Sequence, residues 1–338
     1  MINGKVTWGI IGAGSIVNRW MRGMVQTEDS EVLAIASRRI ESAQKSAEQW
    51  NIPQACTPEE LYSNPDIDIV YVAVPHQAHM EIAIDAMKHG KNVLCEKPAG
   101  VNEGDVQKML ESAKEQGVFY MEAVWTRFFP VMKKAIEIIR NGEIGDVRTI
   151  EASFSFRTAD DDTSRLTDPN RAGGGLLDTG VYNLHLAHMI YDKAPVNIIG
   201  TASIDTEDGH LKVDEQAAYI AQYDKGELAV LMSGIRTNTL HNAYIYGTKG
   251  YISFPLFWKP TEMEVVIGGE KTSYEVPVPQ KVAGIEDEGY QYEIEYVNEC
   301  IRKGLKESPE MPWSTTVDVV REMDELRKQW KLKYPFED

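Results

Sequence analysis

The sequence predicts an α/β fold in two parts: an N-terminal doubly wound parallel sheet, then a C-terminal α+β domain with a large open, mostly antiparallel sheet. Three observations predict it. Residues 1–124 alternate short β-type runs with helical stretches. From residue 125 onward, strand-like runs follow one another with no helices between most of them. The chain is 338 residues long, more than one hydrophobic core usually spans. We therefore expect a nucleotide-type domain over 1–124 and a substrate-binding and oligomerisation domain over 125–338.

The elements follow in order. "KVTWGIIG" (5–12) reads as a strand and 15–27 as a helix. "EVLAIAS" (31–37) is the second strand, and "RIESAQKSAEQW" (39–50) an amphipathic helix. "PDIDIVYVAVP" (65–75) is an apolar strand, and "HMEIAIDAMKHG" (79–90) a helix with a glycine stop. "KNVLCEKP" (91–98) is the next strand, followed by a helix over 102–117 and a strand over 118–124. Apolar strands separated by helices imply a parallel sheet covered on both faces. Beyond a helix at 130–141, we expect strands at 147–156, 197–204, 215–223, 228–235, 242–254 and 262–269, then helices near 288–303 and 315–331.

Composition narrows the function. The 43% hydrophobic and 26% charged content is that of a soluble globular protein, and no apolar run approaches the length of a membrane span. The first residues lack a secretory pattern. Three widely spaced cysteines, Cys56, Cys95 and Cys300, fit reduced thiols in a cytoplasm rather than a disulfide framework. The net charge of −17 argues against nucleic acid and against anionic membranes. His76/His79 and His185/His188 lack cysteine or carboxylate company at ligand spacing, so no metal is expected.

The first strand runs into Gly12-Ala13-Gly14. Gly12 permits the tight turn, and Gly14 lets backbone approach a pyrophosphate that the N-terminus of the next helix, at Ser15 and Ile16, stabilises. This is the dinucleotide turn of a Rossmann domain, with Val17 replacing the third glycine of the usual pattern. The second strand ends Ala36-Ser37-Arg38-Arg39, without the carboxylate that accepts from an NAD ribose. A hydroxyl at Ser37 and a guanidinium at Arg38 suit the 2′-phosphate of NADP; the alternative is that the arginines begin a solvated helix.

Lys97 closes the strand that reads Leu94-Cys95-Glu96-Lys97-Pro98, at the carboxyl edge where ligands of parallel sheets bind. Glu96 either orients it or faces away. In "GGGLLDTGVYNLHLAHMI" (173–190), Asp178, Tyr182, His185 and Met189 fall on one helical stripe opposite a leucine-rich side, the pattern of a helix lining a polar cleft. Trp125, Arg127, Phe128 and Phe129 offer an aromatic wall with a guanidinium, or hinge packing. The run Asp160-Asp161-Asp162 reads as a solvated loop tip or a gate to the pocket.

Together "GIIGAG", "EKP" and "GGGLLDTGVY" resemble the Gfo/Idh/MocA oxidoreductases, over essentially the whole chain. With "MEAVWTRFFP" (121–130), the pattern resembles in particular the branch of dimeric dihydrodiol dehydrogenases and NADP-dependent D-xylose dehydrogenases. The resemblance implies that Lys97 and Tyr182 are the catalytic pair and that Pro75, His76 and His79 of "VPHQAHME" line the cofactor pocket beside Glu96. It implies an NADP-dependent dehydrogenase acting on a sugar, polyol or dihydrodiol hydroxyl, assembled as a dimer or a dimer of dimers. In that reading Tyr182 is the acid/base, Lys97 activates it, Asp178 orients lysine or substrate, and Trp125, Arg127 and His185 face the substrate. A free tyrosine titrates near 10, so a neighbouring ammonium is needed to favour the phenolate. Two alternatives stand beside it: an NAD-dependent polyol dehydrogenase of the inositol type, and a non-catalytic sensor of dinucleotide or sugar.

Overall fold

Val6–Ile11 (β1) is buried at all six positions, as a strand covered on both faces must be. The computed structural model describes residues 1–2, 4–158, 165–204 and 213–337; the Asp160-Asp161-Asp162 run lies outside them. After β1 come Ser15–Met24 (α1), Ser30–Ala36 (β2), Ile40–Trp50 (α2), Gln54–Cys56 (β3), Pro58–Ser63 (α3), Ile69–Val72 (β4), His79–Lys88 (α4), Asn92–Glu96 (β5), Glu103–Gln116 (α5) and Tyr120–Ala123 (β6). The six strands form one sheet in the order β3-β2-β1-β4-β5-β6, every pair parallel. The order reverses between β1 and β4, which puts a ligand crevice beyond their carboxyl ends. The short β3–α3 pair was not foreseen, although "TPEE" announces it: Thr57 and Glu60 form a reciprocal capping box at the start of α3.

The remaining elements are Pro130–Arg140 (α6), Val147–Ser155 (β7), Val181–Tyr191 (α7), Asn197–Ile204 (β8), Asp214–Gln222 (β9), Leu228–Gly234 (β10), Ala243–Gly247 (β11), Gly250–Phe254 (β12), Glu262–Ile267 (β13), Glu270–Glu275 (β14), Tyr290–Arg302 (α8) and Trp313–Trp330 (α9). Strands β7–β14 make an eight-stranded sheet in the order β14-β13-β12-β11-β7-β10-β9-β8, antiparallel except for β7 and β10. The single strand expected over 242–254 is a hairpin, β11 and β12, and β14 pairs with β13 beyond Gly268-Gly269. Burial alternates residue by residue along β9 and β10, the mark of a sheet covered on one face only. On the covered face Ala217, Tyr219, Ala229 and Leu231 are buried, and α7 packs against β7 and β10.

The chain packs as two compact units. One comprises Met1–Gly100, Gly104–Trp125 and Val278–Thr316; the other comprises Val101–Glu103, Thr126–Pro277 and Val317–Asp338. The crossing at Trp125 adjoins the expected 124/125 division, but Val278–Thr316, expected in the second domain, belongs to the first unit. The reason is α8, whose Ile294 and Val297 are fully buried and which packs against α1 and β1. Buried polar contacts fix it there: the Trp8 indole donates to Asn298 at 3.1 Å, and Asn298 donates to Ser30 at 2.5 Å.

Candidate active site

In the first unit, the sheet's carboxyl edge carries the predicted cofactor residues. Gly12 has φ +124°, and a Cβ there would lie 2.1 Å from the Ala73 carbonyl oxygen, so the turn between β1 and α1 admits only glycine. Gly14, at the N-cap of α1, is extended, and no atom lies within 4 Å of where its Cβ would stand. The first turn of α1, with Ser15 and Ile16, has amide groups without intrahelical acceptors, as every helix start does, which suits a pyrophosphate. At the end of β2, Ser37 is half-buried and Arg38 exposed, with no carboxylate at that strand end.

The carboxyl ends of β4 and β5 are tied together by buried side chains. His79 is fully buried, with Nδ1 2.9 Å from the Pro98 carbonyl and Nε2 2.9 Å from the Val74 carbonyl. His76 lies edge-on to it at 5.6 Å. Pro75 caps the short turn that starts at His76. Glu96 accepts from the Tyr71 hydroxyl at 2.5 Å and from the Lys97 backbone amide at 3.2 Å. Burial pushes the Glu96 carboxyl up, while the Tyr71 bond and the Lys97 charge pull it down. Glu122 of β6 accepts from the Ala99 amide at 2.9 Å, so the backbone on both sides of the cis Lys97–Pro98 bond is held by carboxylates. Glu96 therefore faces inward as a support for the strand end, and the half-buried Lys97 follows it on the next position. Trp125, expected in a substrate wall, packs within this unit: it stacks on Tyr290 at 4.0 Å, with the Arg19 guanidinium 5.7 Å from its ring.

In the second unit, Tyr182 sits near the start of α7. The segment before it, Leu176–Gly180, is a π-helical turn, which shifts the phase on which the single polar stripe was projected. The helix is buried on every side from Val181 to Met189, so it does not present one polar face opposite an apolar one. Asp178 instead pairs with Arg165 at 2.8 Å. His185 is fully buried. His188 pairs with the buried Glu322 of α9 at 2.6 Å, a structural role. Arg127 is half-buried in the turn Trp125–Phe128.

An aromatic group that the sequence did not signal surrounds Tyr182. Its ring lies 5.4 Å from Phe154 of β7 and 6.3 Å from Trp258. Phe154 and Trp258 stack at 5.0 Å and 11°. The Trp258 indole donates to His241 at 3.3 Å, and His241 Nε2 lies 2.8 Å from the Ser155 carbonyl. The cluster is drawn from β7, α7 and the loop after β12, whose contact no local spacing encodes. Among the described residues no group of three or more His, Cys, Asp or Glu could hold a metal ion, and no helix is long and apolar enough to cross a membrane.

Residues 6–124 match the model of the oxidoreductase family with an NAD-binding Rossmann fold, and residues 132–253 match the GFO/IDH/MocA C-terminal domain. The chain belongs to the Gfo/Idh/MocA oxidoreductase family. This oxidoreductase is 37% identical to a trans-1,2-dihydrobenzene-1,2-diol dehydrogenase of Mus musculus over 97% of the chain and 98% of the relative. The corresponding Xenopus tropicalis protein is 35% identical over 97% and 99%. Among solved structures, the aldose-aldose oxidoreductase of Caulobacter crescentus, determined with glycerol, superposes with a TM-score of 0.86 at 26% identity, covering 97% of the chain and 98% of that structure. As a Gfo/Idh/MocA protein, it is an enzyme of the dehydrogenase type that works with a nicotinamide dinucleotide and a small-molecule substrate.

Proposed function

We propose that this enzyme is an NADP-dependent dehydrogenase of a secondary hydroxyl on a dihydrodiol, sugar or polyol, with Tyr182 as acid/base and Lys97 as its electrostatic partner. One observation carries the substrate reading: the Tyr182 ring packs against Phe154 and Trp258, which His241 in turn contacts, a wall that takes the apolar face of a ring while leaving a proton acceptor beside it. Relatives named for dihydrobenzenediol and for aldoses act on such rings.

When bound, the dinucleotide supplies the hydride acceptor. The chain does the rest. Tyr182 takes the hydroxyl proton during oxidation and returns it during reduction. Lys97 supplies the positive charge that favours the deprotonated phenol and donates to the substrate oxygen. Pro75, His76 and His79 shape the cofactor edge, His79 by holding the Val74 and Pro98 carbonyls. Arg127 and the Arg165–Asp178 pair orient the substrate's hydroxyl groups, Asp178 as a paired carboxylate, whereas the fully buried His185 has no face toward a substrate. Assaying NADP⁺ and NAD⁺ against a panel of trans-dihydrodiols, aldoses and inositols tests the reading. Turnover of at least one class with NADP⁺ supports it; tight NADPH binding without turnover across the panel sinks it.

The NADP preference rests on Ser37 and Arg38. An Arg38→Ala enzyme is expected to raise KM for NADP⁺ about 10- to 100-fold, the scale of one charge-assisted hydrogen bond, with NAD⁺ kinetics unchanged. Equal effects on both cofactors would remove Arg38 from 2′-phosphate recognition.

We assign the open face of the eight-stranded sheet to a homodimer, alone or within a dimer of dimers. Ile199, Ile220 and Val230 are register neighbours across β8, β9 and β10, exposed at 55%, 39% and 42%, and Met232 joins them at 42%. An apolar row of this kind is unfavourable in water. Light scattering is expected to give at least twice 38.0 kDa at micromolar concentration, and Val230→Lys is expected to weaken the association. A wild-type monomer would remove the assignment. We place the enzyme in the cytoplasm because Cys56, Cys95 and Cys300 are all buried free thiols.

A further inference from the structure

We propose that Asp214 is a positioning residue for the reaction: through the backbone of Gly174–Leu176 it holds the π-helical turn that carries Asp178 and leads directly into α7 with Tyr182. This inference rests on the function proposed above and concerns a fully buried residue.

Asp214 opens β9 and is fully buried. Its Oδ2 accepts the Leu176 amide at 2.6 Å, at the first residue of the π-helical turn. Its Oδ1 lies against Gly174, where φ is +114° and a Cβ would stand 2.1 Å away, so the glycine is required by the carboxyl group itself. The rest of the turn is held on either side. The Tyr334 hydroxyl donates to the Gly173 carbonyl at 2.6 Å, and the Thr179 hydroxyl to the Gly175 carbonyl at 2.8 Å. A buried acidic acceptor at the beginning of a helical segment also offsets the partial positive charge of its free amides.

Burial pushes the Asp214 carboxyl up to about 7, against the backbone amides of Leu176, Asp214 and Gly175 and the charge of Arg327, which all pull it down. The other titratable groups facing it are Tyr219 on its own strand and Tyr334 from the C-terminal segment; both are buried phenols pushed upward by burial. Arg327 of α9 is itself engaged with Asp324 and Glu337 at 2.8 Å, so it neutralises Asp214 only in part. The ionised carboxylate is the stronger acceptor for the Leu176 amide. Stability runs the opposite way. The folded value lies above the ordinary 3.8, so the contribution of Asp214 to stability is full below about 3.8 and is lost as pH rises through about 7.

The test is an NMR titration of the wild-type enzyme together with kinetics of Asp214→Asn. The Leu176 amide proton is expected to titrate with a midpoint near pH 7 in the wild type and to lose that titration in the variant. The variant is expected to lose kcat by about tenfold or more above pH 7, the scale of one charge-assisted hydrogen bond, with the Kd for NADPH unchanged. The ratio of wild-type to variant kcat should grow as pH rises through about 7. A Leu176 amide whose shift is the same in Asp214→Asn as in the wild type, or a variant with wild-type kcat at every pH, overturns the proposal. The amide titration needs no turnover, so an absence of activity on every diol and sugar would count against the proposed function alone.

Discussion

Tyr182→Phe is expected to slow hydride transfer by about 10²–10⁴-fold, the range that a positioned acid/base supplies. The variant is a clean one. Phenylalanine keeps the ring, and with it the packing on Phe154 at 5.4 Å and Trp258 at 6.3 Å, so the fold of the second unit should be unaffected. The substitution removes one hydroxyl oxygen and leaves the dinucleotide turn untouched, so NADPH affinity should stay within about twofold, under the ~0.4 kcal/mol that such a ratio represents. The measurement is single-turnover reduction of NADP⁺ by a substrate identified in the panel. A rate near wild type with cofactor bound would take the tyrosine out of the chemistry and leave Lys97 to be tried as the proton acceptor. A loss of NADPH affinity equal to the loss of rate would make Tyr182 a binding residue instead.

Gly12→Ala and Gly14→Ala should separate a glycine needed by the protein from one needed by the cofactor. At Gly12 the added carbon meets the Ala73 carbonyl oxygen at 2.1 Å and its carbon at 2.7 Å, with φ at +124°. Neither backbone can retreat: Gly12 N donates to the Ala36 carbonyl at 2.9 Å, and Ala73 N donates to the Ile11 carbonyl at 2.8 Å. Strain and overpacking together are expected to cost about 2–5 kcal/mol, lowering the melting temperature by on the order of 10 °C. At Gly14 the same carbon meets nothing within 4 Å, and φ is an ordinary −83°. That variant should melt with the wild type yet bind NADPH at least about tenfold more weakly, because the methyl group occupies the approach of the pyrophosphate. Calorimetry without cofactor and fluorescence titration with NADPH read the two effects separately. Equal melting temperatures for Gly12→Ala and the wild type would contradict the geometry of the turn. Unchanged NADPH affinity in Gly14→Ala would place the pyrophosphate elsewhere.

The parallel sheet was legible because its signals are local. Each of β1, β4, β5 and β6 is an apolar run, and each is followed by a helix or its capping signal. Gly12, Gly14, Ser37 and Lys97 could be placed for the same reason, since the end of a strand marks the ligand edge of such a sheet. What local pattern did not reveal depends on long-range contact. Phe154 and Trp258 are over a hundred positions apart in sequence, and only the pairing of β7 with β11 brings their segments together. Asp214 and Leu176 are 38 positions apart, and the bond between them joins the start of an interior strand to a helical turn. The return of α8 to the first unit depends on Asn298 reaching Trp8 and Ser30, contacts 290 and 268 residues apart. The expected polar stripe on 178–189 is absent for a different reason: α7 is buried on every side, and one π-turn rotates Asp178 relative to the residues after it, which an ideal 3.6-residue period cannot anticipate.

The sequence by itself determined the two-part α/β class and the dinucleotide turn, because periodicity, glycine placement and strand ends are written in consecutive residues; the enzyme class and the candidate pair Lys97 and Tyr182 came from its resemblance to the Gfo/Idh/MocA oxidoreductases. The tertiary structure alone decided the surroundings of those groups: the inward Glu96, the His79 tie between strand ends, the aromatic wall at Tyr182 and the buried carboxyl beneath its turn. The physical reason is that burial and hydrogen-bond partnership are properties of chain crossings, and a crossing leaves no periodic trace in either segment that takes part in it.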